Sequence, residues 1–152
     1  MIAKMFRHIQ NFIHNWIHPE NVVYNVANTN GLGLKFKLSD DGSVTGSFQP
    51  DQSLEGHPGV LHGGVIASVL DSAMGNCLFA HGHTAVTAEL NIRFRHPVIT
   101  QQTATVTTWI SKSSSALYLL EAQITQDGQT KVTAKGKFVD QSHLADKTAP
   151  TL

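Results

Sequence analysis

The stretch Leu61-His62-Gly63-Gly64-Val65-Ile66-Ala67-Ser68-Val69-Leu70-Asp71 decides how this chain reads. Two glycines stand directly before an apolar, helix-compatible run, so the backbone starts a helix with its first amides uncovered. Those amides have no acceptor inside the helix, and the positive end of the helix dipole reinforces them. Together they make a ready site for a developing oxyanion. The run stays apolar or small until Asp71. A carboxylate beside an apolar stripe costs stability unless it is paired or used in chemistry.

The helix is expected from Gly63 to Ala80, closed by a turn at His81-Gly82-His83. On a helical wheel Ile66, Val69, Leu70, Ala73 and Cys77 form the buried stripe, and Asp71 falls with Ala67, Met74 and Leu78 at its margin. Asp71 lies eight residues beyond Gly63, roughly 12 Å along the axis at 1.5 Å per residue. One helix therefore cannot bring that amide and that carboxylate to a single carbonyl carbon. Two copies of the chain can, with their helices antiparallel across a two-fold axis. Taken alone, Asp71 reads first as a solvated helix residue or as the partner of a nearby arginine, and only second as a working group.

Around the helix the chain alternates with period two. Leu32, Leu34, Phe36 and Leu38 mark one strand and Val44, Gly46 and Phe48 another, with Asp41-Gly42 between them. Residues 49–60, with Pro50, Gly56, Pro58 and Gly59, read as an irregular loop. Beyond the helix, Val86, Ala88, Leu90, Ile92 and Phe94 alternate with Thr87, Glu89, Asn91, Arg93 and Arg95, which places Thr87 on the polar face. Further strands follow at Ala104–Ile110, at Leu120–Ile124 and, after Asp127-Gly128, at Val132–Phe138. One long helix and one apolar sheet face predict an α+β architecture, an antiparallel sheet wrapped around a central helix.

Residues 1–20 carry Ile2, Met5, Phe6, Ile9, Phe12, Ile13, Trp16 and Ile17 at helical spacing, among basic and polar residues. They are expected to form an appended amphipathic helix, with a membrane-surface helix as the sharper alternative. The domain itself would span 21–140, and 141–152 would be a loose tail. A chain of 152 residues with 41% hydrophobic and 14% charged residues fits one folded domain. Its 11 basic and 11 acidic residues balance, which argues against nucleic acid as a partner. No apolar run approaches the roughly 20 residues of a membrane span and no secretory signal is seen, so the expected location is the cytoplasm. The single cysteine, Cys77, sits in the helical stripe and is expected to be buried and inert. His57, His62, His81 and His83 follow no zinc spacing, so no metal is expected.

Gly59-Val60-Leu61-His62-Gly63-Gly64-Val65-Ile66-Ala67-Ser68-Val69-Leu70-Asp71 with Ala73-Met74-Gly75, then Val86-Thr87-Ala88-Glu89-Leu90-Asn91-Ile92-Arg93-Phe94 and Pro97, resemble the hotdog-fold acyl-CoA thioesterases of the PaaI-like type. The resemblance covers about residues 30–139. It implies hydrolysis of an acyl-CoA thioester by a homodimer, in some relatives a dimer of dimers, with no cofactor. It implies further that the Gly63 amide polarises the thioester carbonyl and that Asp71 of the opposing subunit activates water or attacks directly. Thr87 would orient the water, and His62 would support the oxyanion loop. Gly64, Gly56 and Met74 would border the substrate, and Arg93, Arg95 and His96 would meet the coenzyme phosphates. One departure is clear: where many relatives carry Asn or Gln six positions before the histidine, this chain has Gly56, so Glu55, His57, a backbone group or nothing at all takes that role. A hotdog-fold hydratase or dehydratase, with His57 fourteen residues before Asp71, is the alternative enzyme. A non-catalytic acyl-CoA-binding module is the third reading.

Overall fold

Residues 32–141 are described in this computed structural model; the expected N-terminal helix, and the tail beyond Gln141, lie outside the described residues. Every expected strand forms, although the first begins only at Lys35, after Leu32 and Leu34. The strands are β1 (Lys35–Leu38), β2 (Val44–Phe48), β5 (Ala85–Phe94), β6 (Ala104–Ser113), β7 (Leu117–Gln126) and β8 (Gln129–Asp140). They form one antiparallel sheet in the order β1-β2-β6-β7-β8-β5. At the β7–β8 hairpin, Asp127 and Gly128 take φ of 48° and 73°, the two positive values that a tight two-residue turn requires. The expected loop at 49–60 is more ordered than its composition suggested. It holds a short 3-10 helix (Gln52–Leu54) and two short paired strands, β3 (Glu55–His57) and β4 (Val60–Leu61), too brief to show a period.

The helix α1 (Gly63–Ala80) has the expected bounds and packs against all six strands of the large sheet. By length and composition it could cross a membrane, with a mean hydropathy of 1.3 over 18 residues. Its setting explains that hydropathy: Ile66, Val69, Leu70, Ala73, Met74, Cys77 and Leu78 are buried against the sheet. The buried face is wider than the expected stripe, because a sheet that curls around a helix covers Met74 and Leu78 as well. An ideal Cβ at Gly136 of β8 would sit 2.5 Å from Met74 Sδ, so the thioether lies directly on that backbone. After α1, His81 Nδ1 meets the Cys77 carbonyl at 2.7 Å, and Gly82 turns the chain at a φ of 80°. His83 stacks on buried Tyr118, whose hydroxyl donates to Asp140 Oδ2 at 3.3 Å and tethers the start of β5. Burial, and then the charge of Asp140, raise the Tyr118 pKa.

β5 departs from strict alternation. Thr87 pairs with Phe138 and Glu89 with Lys137, leaving Ala88 as an extra, bulged residue. Phe138 is buried beneath α1, whereas Lys137 is exposed and bonds Glu89 at 2.7 Å. Thr87 therefore faces the helix, and Val86 turns outward opposite Val139 with 39% of its surface exposed. The sequence expectation that put Thr87 on the polar face and Val86 on the covered one is reversed. Leu90, Ile92 and Phe94 keep the expected face, opposite Gly136, Ala134 and Val132.

Candidate active site

The start of α1 is held from several sides. His62 N–H donates to the Leu54 carbonyl and Leu61 N–H to the Val98 carbonyl, both at 2.9 Å. Behind them the buried Gln126 side chain clamps Ile99 through both its amide atoms, at 2.8 Å each. His62 is the N-cap: its carbonyl accepts from Val65 and Ile66, and its Nδ1 accepts from Gly64 N–H at 2.9 Å. Because Nδ1 accepts, the neutral ring carries its proton on Nε2. The cap also settles which amide is available. Gly64 N–H is consumed by the imidazole, while Gly63 N–H has no acceptor among the described residues. Glycine at 64 gives the ring room, since an ideal Cβ there would stand 3.0 Å from His62 Nδ1, a tight approach that the imidazole would have to relieve.

Gly63 opens into a groove of about 550 Å³. His62, Gly56, His57, Phe94, Arg95 and His96 line it, with Val60, Leu61, Ile66, Pro97 and Val98 as its apolar surface. Phe94 is 54% exposed and stands beside Gly63, where an ideal Cβ would meet its ring at 3.6 Å. Sequence reading missed Phe94, because its place in the alternation marks it simply as core. β3 runs so close to the histidine that a Cβ at Gly56 would stand 3.3 Å from His62 Cδ2. Of the two suggested substitutes for the missing amide, Glu55 is engaged, accepting from Thr100 Oγ1 at 2.6 Å, and His57 lines the groove.

Asp71 lies outside this groove. Thr87 Oγ1 donates to its Oδ1 at 2.5 Å, a short hydroxyl–carboxylate bond that the Ala88 bulge makes possible. Among the described residues no lysine, arginine or histidine forms an ion pair with Asp71; the two ion pairs are Lys135–Glu121 and Lys137–Glu89. Of the other expected site residues, Arg95 and His96 join Gly63, whereas Arg93 faces away from α1 beside Trp109 and Lys135. Met74, expected to border the substrate, is 0% exposed within the protomer and packs in the core. Cys77 is buried as expected, and burial pushes its thiol up to about 11. No group of three His, Cys, Asp or Glu suited to a metal ion occurs among the described residues.

A model of the thioesterase superfamily matches residues 58–133, the segment that holds α1, most of the Gly63 groove and the Thr87–Asp71 pair. The chain belongs to the thioesterase superfamily. Acyl-coenzyme A thioesterase THEM4 of Bos taurus is 42% identical over 71 residues, 45% of this chain and 29% of that protein. Acyl-coenzyme A thioesterase THEM5 of Homo sapiens is 43% identical over 49 residues, 32% of this chain and 20% of that protein. The chain thus spans less than a third of the length of either relative. Among solved structures, the PaaI protein of the Escherichia coli phenylacetic acid degradation operon superposes with a TM-score of 0.67 at 21% identity, covering 72% of this chain and 80% of that one. A hypothetical thioesterase of Streptococcus pneumoniae solved with coenzyme A superposes with a TM-score of 0.66 at 18% identity, covering 70% and 87%. Those likenesses establish the hotdog fold of this member.

Proposed function

We propose that this protein hydrolyses acyl-CoA thioesters, with each active site assembled from two copies of the chain. The observation that carries the reading is Asp71, a partly buried carboxylate bonded to a hydroxyl and to no cation among the described residues. A structural ion pair does not account for it, whereas a general base held in aim by Thr87 does. The Gly63 amide supplies the second half, an unclaimed donor at the positive end of α1 inside an open groove. Since eight residues of one helix separate the two groups, the second copy provides the partner group. The outer edge of β5 supports that arrangement: it is ten residues long, has no partner strand among the described residues, and exposes Val86 and Phe94. Unpaired edges of this length are normally covered.

In this reading the thioester carbonyl oxygen accepts from Gly63 N–H. Asp71 takes a proton from water as the water oxygen bonds to the carbonyl carbon, and negative charge moves onto the carbonyl oxygen. Collapse of the tetrahedral intermediate breaks the C–S bond, releasing the acid and the coenzyme A thiol, which recovers the proton. Direct attack by Asp71, giving an anhydride that water then opens, uses the same geometry. Arg95 and His96 line the same groove and offer positive or donating groups to the coenzyme phosphates. The nature of the relatives supports the chemistry. The Streptococcus pneumoniae thioesterase has been solved as an aspartate-to-alanine and as a threonine-to-alanine variant, sixteen positions apart, the spacing that separates Asp71 from Thr87 here.

The test is thiol release from a panel of acyl-CoAs by the native chain and by Asp71→Ala. The variant is expected to lose about a hundredfold or more in kcat, the size of a lost general base. Thiol release that survives the substitution removes Asp71 from the mechanism. Reversible hydration of enoyl-CoA without thiol release would move the site to the hydratase class, and binding without turnover to a carrier or sensor module.

A further inference from the structure

β5 enters the sheet in a phase that burial alone would not choose. Without the bulge at Ala88, Val86 would face α1 and Thr87 would turn outward, since a slip of one residue exchanges the two faces of a strand. Apolar burial favours that arrangement. Yet Val86 stays 39% exposed, and Thr87 reaches Asp71. Contacts just before the strand oppose the slip. His83 N–H donates to the Leu78 carbonyl at 2.9 Å, and Gln141 N–H donates to the Thr84 carbonyl at 3.0 Å. The side chains add a more selective anchor. The Tyr118 hydroxyl donates to Asp140 Oδ2 at 3.3 Å and lies 3.2 Å from His83 Nδ1. A phenol has a single proton to give, so the contact with His83 is completed by Nδ1–H donating to the phenol oxygen. The two rings also stack, 4.6 Å apart and tilted by 34°.

Tyr118, Phe138 and Thr87 stand in one row across β7, β8 and β5. The anchored ring and the hydroxyl on Asp71 therefore share one face of the sheet. We propose that Tyr118 is a positioning residue for the reaction: by holding His83 beside Asp140 it forces the extra residue into β5, and so keeps Thr87 Oγ1 on Asp71. The inference rests on the thioesterase reading. Backbone bonds alone do not fix the phase, because a slipped strand presents the next amide and carbonyl to the same partners. The Tyr118 contact does discriminate. A slip of one residue would bring Gly82 or Thr84 to the phenol, and neither carries an imidazole to stack on it or to donate. The consequence reaches the carboxylate because hydrogen bonds weaken steeply with distance and misalignment. A Thr87 that drifts from the helix no longer holds the Asp71 carboxylate in aim.

The experiment measures kcat and KM for one acyl-CoA in the native chain, in Tyr118→Phe, in Thr87→Val and in the double variant. Tyr118→Phe keeps the ring and its stack on His83 and removes the hydroxyl alone. Its kcat should fall severalfold, at most by the about tenfold that goes with the Thr87 hydroxyl, while KM holds. In the Thr87→Val background the same substitution should cost nothing further, because its effect travels through that hydroxyl. A general loosening of the fold would lower kcat equally in both backgrounds. Such additivity overturns the inference, and so does a native kcat in Tyr118→Phe. Should Tyr118→Phe fail to fold, Asp140→Ala removes the acceptor of the phenol and carries the same two comparisons. If the native chain releases thiol from no acyl-CoA, the thioesterase reading is what has failed. The anchor is then judged by amide hydrogen exchange in Tyr118→Phe. Protection that drops about tenfold before Ala88 and holds after it sustains the anchor, and unchanged protection ends it.

Discussion

Proline in place of Gly63 would delete one hydrogen atom from the proposed oxyanion site and almost nothing else. Gly63 is the first residue of α1, the helical position that tolerates proline best, because its N–H has no partner within the helix. The preceding residue must be extended for a proline to follow, and His62 already is, at φ −60° and ψ 134°. Space is available too: a Cβ at 63 would meet Phe94 at 3.6 Å, an ordinary contact. Stability should therefore hold or rise by about 0.4–1 kcal/mol, since proline restricts the unfolded chain. Activity should move the other way. Losing one preorganised oxyanion donor costs about 10²–10³ in kcat, or ~2.7–4 kcal/mol. The assay pairs thiol release from an acyl-CoA with urea denaturation. A Gly63→Pro chain that folds as stably as the native one and turns over within threefold of it would show that this amide does not hold the oxyanion.

Three further outcomes are expected. Thr87→Val keeps the shape and removes the hydroxyl that donates to Asp71, so kcat should fall about tenfold, the effect of a charge-assisted bond. In an Asp71→Ala background the same change should do nothing more; additive losses would show that Thr87 acts independently. Gly64→Ala crowds the His62 imidazole in its cap bond, so the gain of about 1 kcal/mol that alanine normally brings to a helix should be cancelled in denaturant titrations, and a midpoint raised by that full amount would contradict this account of the glycine. For Cys77, burial raises the folded-state pKa from 9.0 to about 11, so the folded form binds the proton more tightly than the unfolded chain. Its contribution to stability is complete below pH 9 and disappears as pH climbs through 11. Iodoacetamide at pH 8 should accordingly leave the native thiol untouched and label it only in denaturant.

How much was legible follows from the length and strength of each local signal. The bounds of α1 were readable because glycines flank it, two at its start and Gly82 just past its end, each imposing a backbone geometry of its own. The four long strands announced themselves by period, but their neighbours did not. Nothing local says that β5 pairs with β8 or that β2 lies beside β6, since those contacts join residues far apart in the chain. The bulge at Ala88 was invisible because Val86, Thr87 and Ala88 all suit a strand equally well. At the site, His62 and Gly63 were marked by their glycine context. Phe94 was hidden by its own regularity: a residue on the apolar face reads as interior whether or not the strand happens to end in the open. Arg93 and Arg95 looked alike in the alternation, and only the chain leaving β5 after Phe94 brings Arg95 to the Gly63 groove.

The slip at Ala88 divides β5 into two segments out of phase with each other. Upstream of it, the strand offers a hydroxyl to the helix; downstream, it offers aliphatic and aromatic packing, and neither constrains the choice of residue in the other. Chemistry at 87 can thus be retuned, by serine, cysteine or asparagine, without disturbing the hydrophobic lattice that begins at Leu90. The same slip is a hazard for anyone comparing relatives by eye. Alignments that keep strict parity across this point would match Thr87 with solvent-facing positions and discard the hydroxyl that donates to Asp71.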